Sequence, residues 1–137
     1  MTPEDIAALY ARAVPYPVGW GPDDLRKILA HPGAFITSLA HAFALGRVAA
    51  DEAELLLIAT DPDHRRTGAA THCLAAFEDE ARARGAVTAF LEVAESNAPA
   101  RALYAARGYE KVGQRPGYYA SADGTKETAL ILRRDLT

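Results

Sequence analysis

The chain has a single cysteine, Cys73, in 137 residues, so no intramolecular disulfide can form and a disulfide-stapled secreted scaffold is excluded. It has no basic excess: 15 lysines and arginines against 18 acids leave a net charge of −3. Without a basic stripe, direct nucleic acid binding is not expected, and a basic partner suits the charge better. No apolar run approaches the roughly 18 residues needed to cross a bilayer. The opening Met1-Thr2-Pro3-Glu4-Asp5 carries acid where a secretory leader carries lysine or arginine, and a soluble, cytoplasmic protein is the expectation. The histidines His31, His41, His64 and His72 lack cysteine or carboxylate partners at metal-ligand spacings, so no metal is expected. Signatures of other chemistries are missing too. No G-x-G-x-x-G follows a strand, Gly108 to Gly113 lacks a following Lys and Ser/Thr, and there is no G-x-S-x-G nucleophile elbow.

What is present is a half-apolar sequence, enough to bury one core, and we read residues 1–137 as a single domain. Thr2 caps a first helix with Ile6, Leu9, Tyr10 and Ala13 at helical spacing, stopped by Pro15 and Pro17. Pro22 and two acids open a shorter second helix with Leu25, Ile28 and Leu29 on one face. Three extended runs follow, about 34–40, 43–50 and 54–60, spaced as an antiparallel meander. The third, Leu55-Leu56-Leu57-Ile58-Ala59, is continuously apolar, as a central strand covered on both faces requires. Residues 69–84 form a helix with Ala70, Cys73, Leu74, Phe77 and Ala81 on its stripe and Glu78, Asp79 and Arg82 facing away. A strand at 87–93, a helix at 98–107 capped by Asn97, and strands at 109–115 and 125–133 around an Asp123-Gly124 turn complete a mixed α/β layer architecture.

One junction carries a chemical signal. Asp61-Pro62-Asp63-His64-Arg65-Arg66-Thr67-Gly68-Ala69-Ala70 joins the buried strand to the long helix, with little side chain at Gly68, Ala69 and Ala70 to block a ligand. Unpaired amides at a helix start favour an anion, and Arg65 and Arg66 stand where a capping acid is usual. A diphosphate fits that arrangement; so does an ordinary solvated turn. On the strand 87–93, Glu92 lies on the face opposite Val87, Ala89, Leu91 and Val93. It reads either as a buried base whose pKa is raised or as a strand-end carboxylate reaching solvent. Tyr104 lies two helical turns after Asn97 and can donate a proton to a leaving group or simply pack with Leu103. Asn97 can cap its helix, a role that needs no function. Cys73 and His72 read as packing or surface residues, and Trp20 as a packing anchor.

Arg65-x-x-Gly68-x-Ala70 between a buried strand and a helix resembles the coenzyme A signature of the GNAT N-acetyltransferases. It is followed by Leu91-Glu92-Val93, Ser96-Asn97 and Ala102-Leu103-Tyr104 at that family's distances. Within the family the chain is most similar to ribosomal-protein alanine N-acetyltransferases of the RimI type, through Ile58-Ala59-Thr60-Asp61-Pro62-Asp63, Ser96-Asn97, Tyr118-Tyr119 and Asp123-Gly124. The likeness covers about residue 54 to the end; the first 50 residues match more loosely, and the family's usual first strand is missing. The resemblance implies a GNAT fold, a mostly antiparallel sheet flanked by helices, and acetyl-CoA as cosubstrate. It implies that Arg65, Arg66, Thr67, Gly68, Ala69, Ala70 and Thr71 hold the pyrophosphate. Ile58, Ala59 and Thr60 would pair with the pantetheine arm through their backbone, with Asn97 also on the cofactor, Glu92 as general base and Tyr104 as general acid. The implied acceptor is the N-terminal alanine of a ribosomal protein, by direct transfer in a ternary complex. A small amine or lysine acceptor, and a non-catalytic acyl-CoA-binding module, stand as alternatives.

Overall fold

The computed structural model describes residues 2–13, 21–65, 67–120 and 124–137. Helix α1, Pro3–Ala13, is started by a reciprocal cap: the Asp5 amide donates to the Thr2 hydroxyl at 3.1 Å and the Thr2 amide to the Asp5 carboxylate at 3.0 Å. Its residues Ile6 and Leu9 are buried. Helix α2, Pro22–Leu29, begins on Gly21, whose amide donates to Asp24 at 3.1 Å. Trp20, Pro15 and Pro17 lie outside the described residues.

Strands β1 (Ala34–Leu39), β2 (Ala42–Ala49) and β3 (Glu52–Thr60) form the expected antiparallel meander. A single 3₁₀ turn, Pro62–His64, leads to α3 (Ala69–Ala83), then β4 (Thr88–Ala94), α4 (Ala98–Ala106), β5 (Glu110–Ala120) and β6 (Lys126–Asp135). The six strands make one sheet in the order β1-β2-β3-β4-β6-β5, antiparallel throughout except for β3 against β4. The element order is the one read from the sequence, with no strand before α1 among the described residues. Strand β5 runs five residues past its expected end, and Asp123 of the expected turn lies outside the described residues.

Two apolar clusters cover the two faces of the sheet. On one, α3 and α4 bury Leu74, Phe77 and Tyr104 against Ala44, Leu55, Leu91, Leu130 and Leu132. On the other, Ile6, Leu9 and Leu25 of α1 and α2 meet Phe43, Leu45, Leu57 and Ala59. Leu55 and Leu57 face opposite ways within clusters on opposite sides, although an unbroken strand would align them. The register explains it: Leu45 pairs with Leu57 but Gly46 pairs with Leu55, so Leu56 is an extra residue, a β-bulge.

One expectation is corrected. Glu78 does not face away from the core on α3 but is fully buried. It sits one turn after Leu74 on the inner flank, and the cost of desolvating its carboxylate is offset by Arg107, Arg134 and Tyr109, which all reach it.

Candidate active site

The bulge at Leu56 shapes the region around it. β3 pairs with β4 only from Glu52↔Thr88 to Glu54↔Phe90, whereas β4 stays paired with β6 along its whole length to Ala94. Bulges bend a strand and end its pairing on one side, so β3 and β4 part from Leu55 onward. Ile58, Ala59 and Thr60 lie on this parted stretch, still paired to Ala44, Phe43 and Ala42 of β2 but with no β4 partner. Because β3 and β4 are parallel, the helices that follow them both begin at this end of the sheet.

At the first of those helix starts, Gly68 holds φ at 81°, a left-handed conformation that side chains disfavour. The first intrahelical bond is from the His72 amide to the Gly68 carbonyl, 3.0 Å. The amides of Ala69, Ala70 and Thr71 therefore lie in the first turn, ahead of any intrahelical partner. No acid and no side-chain cap stands there. Thr67 turns its hydroxyl to the His64 carbonyl at 2.7 Å. Arg65 donates to the Ala13 carbonyl at 3.0 Å, fastening the loop to the C-terminus of α1; Arg66 lies outside the described residues. At the second helix start, the exposed Asn97 accepts from the Ala100 amide at 3.3 Å, the cap its sequence position called for.

Glu92 and Tyr104 lie on opposite faces of the sheet. Leu91 and Val93 point into the α3–α4 cluster, which also holds Tyr104, 5% exposed. Glu92 points to the other face, where its side chain is 20% exposed and lies 3.3 Å from the Arg115 guanidinium. Of the two readings the strand pattern left open, a buried base or a strand-end carboxylate reaching solvent, Glu92 lies between them as a partly solvated, ion-paired carboxylate. Arg115 was invisible to sequence reasoning, because its approach depends on β5 lying beyond β6 in the sheet.

A family model described as the acetyltransferase (GNAT) family matches residues 10–109. The chain belongs to that family. It is 44% identical over 91 residues to the ribosomal protein bS18-alanine N-acetyltransferase of Escherichia coli strain K12, a match spanning 66% of this chain and 61% of that protein. The crystal structure of the Escherichia coli ribosomal-protein-S18-alanine N-acetyltransferase superposes with a TM-score of 0.85 at 32% identity, covering 96% of this chain and 86% of that one. A putative acetyltransferase from Salmonella typhimurium, solved with its cofactor acetyl-CoA, shares the fold at a TM-score of 0.79 and 18% identity, covering 98% and 88% of the two chains. No helix among the described residues of this GNAT chain is long and apolar enough to cross a membrane.

The GNAT scaffold also gathers residues that spacing did not connect. His41, Asp61 and His64 bring their ligand atoms within 4.8 Å of one another. The two imidazoles stack face to face, 3.4 Å apart and 8° from parallel. Nitrogen lone pairs lie in the ring planes, so near-parallel rings do not aim them at one point. This is the geometry of a packed pair. Asp61 is already engaged, accepting from the Asp63 amide at 3.0 Å and from Arg12 at 2.5 Å. The Asp63 amide, followed by the Arg12 side chain, holds the Asp61 carboxyl below its ordinary value.

Proposed function

We propose that this chain is an N-acetyltransferase that moves the acetyl group of acetyl-CoA to a protein N-terminal α-amine, by direct transfer in a ternary complex. The observation that carries the reading is the parting of β3 from β4 between two helix N-termini. The pyrophosphate fits the open amides of Ala69, Ala70 and Thr71 beside Thr67 and Gly68, with Arg65 adding charge nearby; Arg66, the second arginine of the motif, lies outside the described residues. The pantetheine arm extends along Ile58, Ala59 and Thr60, whose backbone can pair with it as an added strand would. Asn97 bounds the same opening from the start of α4.

Glu92 takes a proton from the attacking amine on one side of the sheet, and Tyr104 gives one to the departing thiolate on the other. The nitrogen–carbon bond forms as the carbon–sulfur bond breaks. An α-amine has a pKa of about 7.7–8.0 against about 10.4 for lysine, so near neutral pH a chain N-terminus is already partly neutral and asks less of a base than a lysine would. The acid excess of the chain and its likeness to bS18-alanine acetyltransferases support a ribosomal protein N-terminus as acceptor, in the cytoplasm and without direct nucleic acid contact. We read the whole chain as one such domain.

The test is mass spectrometry of products from a library of N-terminal peptides and a panel of small amines. Peptide α-acetylation is expected. Acetylation of amines without peptide product would replace the acceptor, and acetyl-CoA binding without turnover on any acceptor would make the chain a binding module.

A further inference from the structure

The buried carboxylate of Glu78 lies away from the reacting groups, yet it is tied to one of them. Tyr109, just ahead of β5, donates its hydroxyl to Glu78 Oε2 at 3.0 Å. Arg107, just past α4, donates to Glu78 Oε1, and Arg134 Nη1 of β6 lies 2.7 Å from the same oxygen. One side chain of α3 thus binds the end of α4 and the strands β5 and β6. The Tyr109 ring stands edge-on to Tyr104, centroids 5.9 Å apart at 64°. The Tyr104 carbonyl in turn accepts from the amides of Arg107 at 3.1 Å and Tyr109 at 3.0 Å. Both the ring and the backbone of Tyr104 are therefore held by residues that Glu78 anchors.

Packing does not require so polar an anchor. Buried ion networks are often matched or bettered in stability by apolar residues of similar volume, and what they can add is a fixed geometry. Burial, and then the charge of Glu78, push the Tyr109 phenol well up, so it stays a hydrogen-bond donor across the working pH range.

We propose that Tyr109, anchored on Glu78 and braced by Arg107 and Arg134, is a positioning residue that fixes the Tyr104 phenol toward the thiol leaving group. This rests on the reading of Tyr104 as proton donor. Tyr109→Phe keeps the ring and removes only the bond to Glu78, so the fold and the packing on Tyr104 persist. It is expected to lower kcat about tenfold, within the ~100-fold that a 1 Å misplacement can cost, and to leave the KM for acetyl-CoA within about twofold. In a Tyr104→Phe background the same change is expected to cost nothing further, because there is no longer a phenol to aim. Equal losses in both backgrounds, or a raised KM with kcat unchanged, would overturn the positioning role while leaving Tyr104 its own. If Tyr104→Phe by itself leaves kcat intact, the proton-donor reading falls and this inference falls with it. Thermal unfolding of each variant separates these outcomes from loss of fold.

Discussion

At the scale of single residues, the account makes different demands on two glycines. Gly46 is small because a Cβ there would meet Phe77 Cε1 at 2.5 Å and Phe35 Cζ at 2.8 Å, the two rings being stacked at 5.7 Å. Gly46→Ala is expected to cost about 1–3 kcal/mol, read from urea unfolding, with no direct effect on acetyl-CoA affinity. Gly68 is free of such crowding, with only His72 Cε1 at 3.8 Å, but its φ of 81° is one a side chain resists by about 1–2 kcal/mol. Gly68→Ala is therefore expected to raise the KM for acetyl-CoA more than it lowers stability, which steady-state kinetics beside a melting curve will show. For Glu92→Gln, kcat should fall by about 10²–10⁴ with little change in that KM. Gly68 and Glu92 stood out as candidates in the sequence because glycine at a strand–helix junction and a charge within an apolar strand are local anomalies, whereas the rings that crowd Gly46 come from other elements. Glu78 was misread for the converse reason. Its partners Arg107, Tyr109 and Arg134 are distant in sequence, and helical spacing alone cannot separate an inner-flank acid from an outer one.

At the scale of elements, helix starts were read closely: Thr2 and Asn97 cap α1 and α4. The bulge in β3 was not, since Leu55-Leu56-Leu57 offers the same side chain to every register and only pairing with β2 shows that Leu56 is the extra residue. The loop after β3 is tied to α1 through Asp61 and Arg12. The folded-state pKa of Asp61 is depressed from 3.8, so the stability it adds is present above that value and lost as pH falls through the lower folded one. Asp61→Asn preserves the turn cap but not the charge. Its deficit in urea midpoint against the natural chain is expected at about pH 7 and should shrink toward about pH 3; a deficit equal at both would place the effect in the cap alone.

At the scale of the molecule, one sheet separates the proposed proton donor from the proposed base, and the thioester of the proposed reaction would sit where β3 parts from β4. The fold follows from elements the sequence displays in order, whereas the gap follows from strand order and a bulge that it does not display. What the geometry asks of the chemistry can be read in one experiment: tandem mass spectrometry of a peptide that begins with alanine and carries an internal lysine, after incubation with acetyl-CoA and either the natural chain or Glu92→Gln. The account predicts a single acetyl group on the α-nitrogen, formed by the natural chain and nearly abolished in the variant. Acetylation of the lysine instead, or equal α-acetylation by both proteins, would contradict it.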